Sequence, residues 1–233
     1  MSDKGWKCRA MWPAAAAMGA MFVGCANKAA MVEPPQAPAI TSFAALDEPL
    51  VEVVGLDPSI AVDIRYATSN NFVGRPMYSY GRAFLRRDAA ERLVRAHESL
   101  QPHGLGIKIW DAYRPLSVQW ELWEVVPDPQ YVADPRRGSR HNRGAAVDVT
   151  LVDAEGNELP MPTGYDEFTE AAHRDYMDLD PAIIANRQIL EDAMTAQGFT
   201  GISSEWWHFD APGWEEFPLI DIPLGSIVQV VDR

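Results

Sequence analysis

Two histidines and an aspartate are the residues of this sequence best suited to binding a metal ion. His141 lies in the loop SRHNRG, and Asp148 follows seven residues later in the apolar run AAVDVTL. His208 lies among aromatic residues in EWWHFD. An aspartate between two valines on a half-buried strand is costly unless it is paired or binds a metal. Two histidines and one carboxylate from separate loops and strands form the ligand set of a catalytic zinc site, with a fourth position open for water.

Glu205 precedes His208 by three residues and is the candidate general base. A carboxylate beside an activated water is the base that such a site needs. Residues three apart on a regular strand point to opposite faces, so we expect a bend at Ser203-Ser204. The alternative interpretation of the same residues is a buried His–Asp hydrogen bond and a surface glutamate.

Arg114 lies in WDAYRP, where a predicted strand ends and a predicted helix begins. A fixed cation at this junction could face oxyanion charge that develops during a reaction. The alternative is a surface ion pair between Arg114 and Asp111, which is common in proteins and contributes little.

The other three histidines have ordinary surroundings. They are His97, His103 and His173, in charged or polar helical stretches. We expect them to be surface residues or to have satisfied hydrogen bonds, since histidine is often partly exposed without a special role.

The order of the predicted elements favours an α+β fold. Alternating apolar residues predict strands over 105–111 and 145–152, and shorter ones between residues 51 and 64. Spacings of three and four predict a helix over 86–100, and Asp180-Pro181 predicts the start of another. Hairpins replace regular βαβ units, which predicts a small, mainly antiparallel sheet with flanking helices.

The first 24 residues have the pattern of an export signal. Three basic residues precede an apolar stretch, 11–24, that is too short to span a bilayer comfortably. Residues 1–24 are therefore predicted to be a signal peptide. Cys25 follows small residues, as in bacterial lipoprotein signals, which predicts lipidation at Cys25 and an exported, periplasmic protein with an N-terminal membrane anchor. Plain secretion with a nearby cleavage site is the alternative.

Composition limits the rest of the chain to one domain and a linker. Residues 25–49 are rich in Ala, Pro and Met and predict a flexible tether, followed by one domain over 50–233. The net charge of −13 argues against nucleic acid or an anionic membrane surface as a partner. Cys8 and Cys25 are the only cysteines, so the domain has no disulfide.

Five motifs together resemble a known peptidase family. SRHNRGAAVD fits the SxHxxGxAxD signature of zinc D-Ala-D-Ala metallopeptidases, and EWWH fits their second histidine motif. RYATSNNFVGRP, WDAYRP and MPTGYDEF resemble segments of VanX-type D-alanyl-D-alanine dipeptidases, in the same order. The resemblance covers residues 51–223 and implies the fold of the zinc D-Ala-D-Ala peptidases.

The resemblance also implies a role for each candidate residue of the metal site. His141, Asp148 and His208 would bind one Zn²⁺ ion. Glu205 would act as general base and then as general acid. Arg114 would stabilise the tetrahedral intermediate.

The implied substrate is the dipeptide D-Ala-D-Ala, hydrolysed to two D-alanines. Tyr66, Ser139 and Asp166 match positions that hold the dipeptide, with Asp166 near its ammonium group. The export signal departs from the cytoplasmic members of the family and favours a role in the turnover or scavenging of cell-wall dipeptides. The alternatives are a zinc D,D- or L,D-carboxypeptidase acting on peptidoglycan stem peptides and an inactive wall-binding lipoprotein.

Overall fold

The computed structural model describes residues 38–227. The predicted signal peptide (residues 1–24), Cys25 and the tether as far as residue 37 lie outside the described residues. Within residues 38–227, no helix is long and apolar enough to cross a membrane.

The described part of the chain contains nine strands and three α-helices, together with short 3-10 helices in the connections. In chain order they are β1 (Ala39–Ile40), β2 (Leu50–Glu52), β3 (Ala61–Val62), β4 (Phe84–Arg86), α1 (Arg87–Leu100), β5 (Leu105–Asp111), α2 (Leu116–Val125), β6 (Ala146–Asp153), α3 (Pro181–Ala196), β7 (Thr200–Ile202), β8 (Glu205–Asp210) and β9 (Leu219–Ile220).

A five-stranded sheet in the order β3-β5-β6-β8-β7 is the centre of the fold. Its pairs are antiparallel except for β3 with β5, which are parallel. Helices α1 and α3 contact each other and pack on the strands of this sheet. The predicted α+β fold, with a small and mainly antiparallel sheet and flanking helices, is therefore confirmed.

The helix boundaries follow from local sequence signals. The buried positions of α1 include Ala89, Leu93 and Leu100, as the spacing of three and four predicts. Asp180 caps α3, because its side chain accepts a hydrogen bond of 2.8 Å from the backbone N–H of Ala182. Gly198 follows α3 with a φ of 85°, in the left-handed region that favours glycine.

Strand β6 positions Asp148 by simple alternation. Val147 and Val149 point to one face of the sheet, and Asp148 points to the other. Its partner across the β6–β8 ladder is His208. Side chains of directly opposed residues lie on the same face, so this register brings two predicted metal ligands together.

A short strand also forms within the residues assigned to the tether. Ala39–Ile40 pairs in parallel with Leu219–Ile220, and the Asp221 N–H donates to the Ile40 carbonyl over 2.8 Å. Residues that precede position 50 are therefore paired, through their backbone, with a strand near the C-terminal end of the described chain.

Candidate metal centre and active site

The three predicted ligands converge at one point on the sheet. The Nε2 atom of His141 lies 3.1 Å from Nδ1 of His208 and 3.3 Å from Oδ1 of Asp148. The third side of this triangle, from His208 Nδ1 to Asp148 Oδ1, is 3.0 Å. All three side chains are buried. His141 comes from the loop between α2 and β6, where Gly144 adopts a φ of 69° as the chain turns into the strand.

The size of this triangle fits a tetrahedral zinc ion. Zinc bonds of about 2.0–2.1 Å to nitrogen and oxygen place tetrahedral ligand atoms about 3.3 Å apart. The three observed separations are close to that value. Two imidazoles and one carboxylate also match the donor set of catalytic zinc sites with one position left open.

Contacts behind the histidines orient both rings towards the centre of the triangle. The Nδ1 atom of His141 lies 2.7 Å from the Ala112 carbonyl, to which its N–H donates. The Nε2 atom of His208 lies 2.9 Å from Oδ1 of Asp210. Each contact occupies one ring nitrogen and leaves the other facing the centre of the triangle, which is the usual arrangement of metal-binding histidines.

Charge within the triangle favours an ionised aspartate. Burial opposes ionisation of Asp148, but His141 and His208 outweigh it and hold the pKa of its carboxyl below the usual value. Burial also disfavours the charged form of His208, yet its hydrogen bonds to Asp148 and Asp210 raise its pKa to about 10. A metal ion would therefore displace a proton from His208 when it binds.

Glu205 is the first residue of β8 and lies beside the predicted ligands. The register of β7 and β8 shifts between Gly201 and Ile202, so the bend expected before Glu205 is present. This bend places Glu205 and His208 on the same cavity, although they are three residues apart. Burial raises the pKa of the Glu205 carboxyl, as suits a group that must accept and return a proton.

Arg114 both lines the cavity and pairs with Asp111. Its Nε and Nη2 atoms lie 3.1 and 2.8 Å from Oδ2 of Asp111. Its Nη1 donates to Oε1 of Gln119 over 2.8 Å, and its guanidinium lies 4.9 Å from the centre of the Tyr66 ring. The ion pair considered from the sequence is buried, so it fixes the guanidinium without removing it from the cavity.

The predicted dipeptide-binding residues lie on the walls of the same cavity. The Tyr66 hydroxyl donates to Oδ2 of Asp166 over 2.9 Å. Asp166 has a φ of 56°, a conformation that is uncommon for residues other than glycine. Ser139 lies two residues before His141, and its Oγ accepts from the His141 N–H over 3.3 Å.

Every predicted site residue of the domain therefore lines one cavity of about 280 Å³. They are Tyr66, Arg114, Ser139, His141, Asp148, Asp166, Glu205 and His208.

Sequence comparison assigns the chain to a family. The family profile described as D-ala-D-ala dipeptidase matches residues 47–220. The chain belongs to this peptidase family. A D-alanyl-D-alanine dipeptidase of Escherichia coli (strain K12) is 42% identical over 171 residues, covering 73% of this chain and 89% of the relative. One of Streptomyces coelicolor is 34% identical over 191 residues, covering 72% and 90%.

Among solved structures, the vancomycin-resistance D,D-pentapeptidase VanY in complex with Zn(II) is also similar to this chain. It is 14% identical with a TM-score of 0.38, and the match covers 76% of this chain and 88% of that one.

Two residues that contact the predicted metal ligands were not identified from the sequence. Asp210 holds the outer nitrogen of His208, and the Tyr165 hydroxyl donates to Oδ2 of Asp148 over 2.9 Å. Asp210 had a usable signal, because residues two apart on a strand share a face. Tyr165 lies in the motif MPTGYDEF beside Asp166, but no spacing predicted its contact with β6, which depends on the path of the loop between β6 and α3.

Proposed function

We propose that the chain is a zinc-dependent dipeptidase that hydrolyses D-Ala-D-Ala to two D-alanines. The observation that carries the proposal is the convergence of all eight predicted site residues on one cavity of about 280 Å³. Ligand pockets usually start near 300 Å³, so this cavity suits a small substrate. Membership of the D-ala-D-ala dipeptidase family and the names of the relatives support the choice of dipeptide.

His141, Asp148 and His208 would hold the metal. When bound, zinc supplies a Lewis acid and lowers the pKa of water towards about 7. The contacts from Ala112 and Asp210 keep both imidazoles turned towards that position.

Glu205 and Arg114 supply the protein's own chemistry in this proposal. The Glu205 carboxylate accepts a proton from the attacking water and returns it to the leaving amine, as general base and then general acid. Arg114, held by Asp111, faces the oxygen of the scissile carbonyl and stabilises the charge that develops there.

The ends of the substrate are bound by opposite charges and polar groups. Asp166, assisted by Tyr66, binds the free ammonium group, and Ser139 contributes to the remainder of the dipeptide. The Asp166 carboxylate is half-buried, and a substrate acylated at its amine would cover it without supplying a cation. An unpaired buried charge is strongly unfavourable, which excludes longer stem peptides.

The test is the hydrolysis of free D-Ala-D-Ala by the purified chain, measured as release of D-alanine. Activity should disappear with a chelator and return with added zinc. An N-acylated peptide ending in D-Ala-D-Ala should be a much poorer substrate. Preference for the acylated peptide would identify a carboxypeptidase instead, and zinc binding without hydrolysis of either would identify a binding protein.

We also propose that the enzyme is an exported lipoprotein anchored through Cys25 and acting in cell-wall dipeptide turnover or scavenging. The support is the sequence of residues 1–25, with its basic start and apolar stretch. In cells fed a labelled fatty acid, the wild-type chain should carry the label and the Cys25→Ser variant should not. An unlabelled wild-type chain in the culture fluid would indicate plain secretion.

A further inference from the structure

The turn that carries Glu205 depends on a residue outside the cavity. Ser203 and Ser204 connect β7 to β8, and Ile202 pairs with Glu205 across this turn. The orientation of the Glu205 carboxylate therefore follows from the conformation of two exposed or half-buried serines. Such a short turn, which leads to the edge strand β7, needs additional contacts to adopt one conformation.

Arg174 supplies those contacts on both sides of Glu205. Its backbone N–H donates to the Ser203 carbonyl over 2.9 Å, and its Nε donates to the Ile202 carbonyl over 2.8 Å. Its Nη2 donates to the carbonyl of His208. One arginine thus binds the backbone before the turn, within it, and three residues after Glu205.

The guanidinium is itself fixed in place. It forms an ion pair with Glu191 of α3 and lies 4.3 Å from the centre of the Phe209 ring. Its side chain is 14% exposed, and burial lowers its pKa to about 10. A largely buried cation needs specific hydrogen-bond partners, and here most of them are carbonyls of the hairpin that carries Glu205.

Gly201 provides the space for this guanidinium. A Cβ atom at position 201 would overlap the Cζ, Nε and Nη2 atoms of Arg174. The φ angle of Gly201 is not positive, so its backbone conformation does not require glycine. The absence of a side chain at 201 is instead required by the position of Arg174.

We infer that Arg174, in the space left by Gly201, is a positioning residue that holds the β7–β8 turn so that Glu205 can transfer its proton. The inference rests on the proposed function, because Glu205 has a proton to transfer only if the chain hydrolyses a peptide. Arg174 does not line the cavity, so it acts through the hairpin and does not touch the substrate.

The first test compares Arg174→Ala with the wild-type chain for D-Ala-D-Ala hydrolysis, at equal zinc content. We expect kcat to fall by about 10- to 100-fold, because small displacements of a catalytic group cost about that much. We expect KM and zinc content to change little. Arg174→Lys should not restore kcat, since an ammonium group cannot bind several carbonyls as a planar fork does. Added guanidinium at a non-denaturing concentration should restore part of the activity of Arg174→Ala.

Arg92→Ala is the matched control. Arg92 also donates to a backbone carbonyl, that of Gln197, over 2.9 Å, but it makes this contact at the end of α3. We expect its loss to lower the melting temperature without lowering kcat, and added guanidinium should not raise its activity.

A double-mutant cycle gives an independent test. Gly201→Ala should lower kcat in the wild-type background by displacing Arg174. In the Arg174→Ala background the same methyl group enters the space that the guanidinium occupied and should cause no further loss.

The inference is wrong if Arg174→Ala keeps the wild-type kcat per bound zinc, if its only effect is on melting temperature or zinc content, or if the two substitutions are additive. The proposed function fails separately, if the wild-type chain itself does not hydrolyse D-Ala-D-Ala.

Discussion

Asp148 and His208 lie directly opposite each other on adjacent antiparallel strands, with Oδ1 of Asp148 3.0 Å from Nδ1 of His208. Two of the three predicted metal ligands are therefore set by the register of β6 and β8 alone. A slip of one residue would turn one of the two side chains to the other face of the sheet. Of the three metal ligands, only His141 is delivered by a loop, and the other two lie on strands of the central sheet.

Substitution of Glu205 separates catalysis from metal binding. Glu205→Gln keeps the size of the side chain but cannot accept a proton. We expect kcat to fall by about 10²- to 10⁴-fold, the usual contribution of a general acid–base group, with zinc content unchanged. The measurements are D-alanine release and elemental analysis. Glu170→Gln, a nearby acid outside the main cavity, should retain wild-type kcat. A fully active Glu205→Gln chain would exclude Glu205 as the base.

Asp210 should strengthen metal binding through His208. Asp210→Asn weakens the hydrogen bond at Nε2 of His208, and loss of such outer contacts typically costs about 10- to 100-fold in metal affinity. Competition with a chromogenic chelator measures the affinity. Asp192→Asn, on the exposed face of α3, is the control and should bind zinc as the wild type does. Equal affinities in both variants would contradict an orienting role for Asp210.

Asp166 should make substrate binding depend on pH. Burial raises the pKa of its carboxyl well above the usual value. The groups that face it are Tyr66, Asp148, Arg114 and Glu205. Since a substrate ammonium pairs only with the carboxylate, KM for D-Ala-D-Ala should rise as the pH falls and Asp166 takes up a proton. In Asp166→Asn, KM should be high throughout and this dependence should be absent.

The raised pKa of Asp166 also affects the stability of the protein. The native state binds the Asp166 proton more tightly than the unfolded state does. The protonated Asp166 carboxyl therefore adds to the free energy of unfolding at low pH. This contribution is lost as the pH rises from the unfolded-state pKa of Asp166 to its folded-state pKa. Unfolding by urea at several pH values, compared between the wild type and Asp166→Asn, measures this contribution.

Asp111 should be needed for both folding and catalysis. It is fully buried, accepts two hydrogen bonds from Arg114 and accepts one from the Tyr78 hydroxyl over 3.0 Å. Removing one partner of a buried ion pair costs about 3–5 kcal/mol, so Asp111→Asn should lower the free energy of unfolding by that order and should also lower kcat.

The control for Asp111 is a pair of the same type at the surface. Asp134 binds Arg136, and both side chains are partly exposed. Asp134→Asn should cost less than about 1 kcal/mol and should leave kcat unchanged. A similar cost for both variants in urea unfolding would mean that the burial of the Asp111 pair is unimportant.

The sequence was most informative where one local pattern decides the structure. Strand β5 occupies the predicted residues 105–111, and α1 differs from its predicted range by one residue. His97 is buried, and its Nδ1 accepts from the Ile107 N–H over 3.0 Å, so it is a satisfied histidine as expected. Periodicity and turn signals are local, which is why they gave these elements.

Contacts between distant residues could not be read in the same way. Tyr165 reaches Asp148, and Arg174 reaches the hairpin of Glu205, only because the loop after β6 folds back over the sheet. No spacing in the chain encodes that path. Motif resemblance brought distant residues such as Asp166 into the prediction, but it did not give the contact of Tyr165 within the same motif, and it gave no information on Arg174, which lies outside the motifs.

The pairing of Ala39–Ile40 with Leu219–Ile220 matters for anyone preparing the protein without its N-terminal residues. A truncated gene that starts at residue 50 would encode β9 without its partner, and an unpaired strand edge invites association between molecules. A start at residue 38 keeps that edge covered, so the longer version should remain monodisperse where the shorter one precipitates.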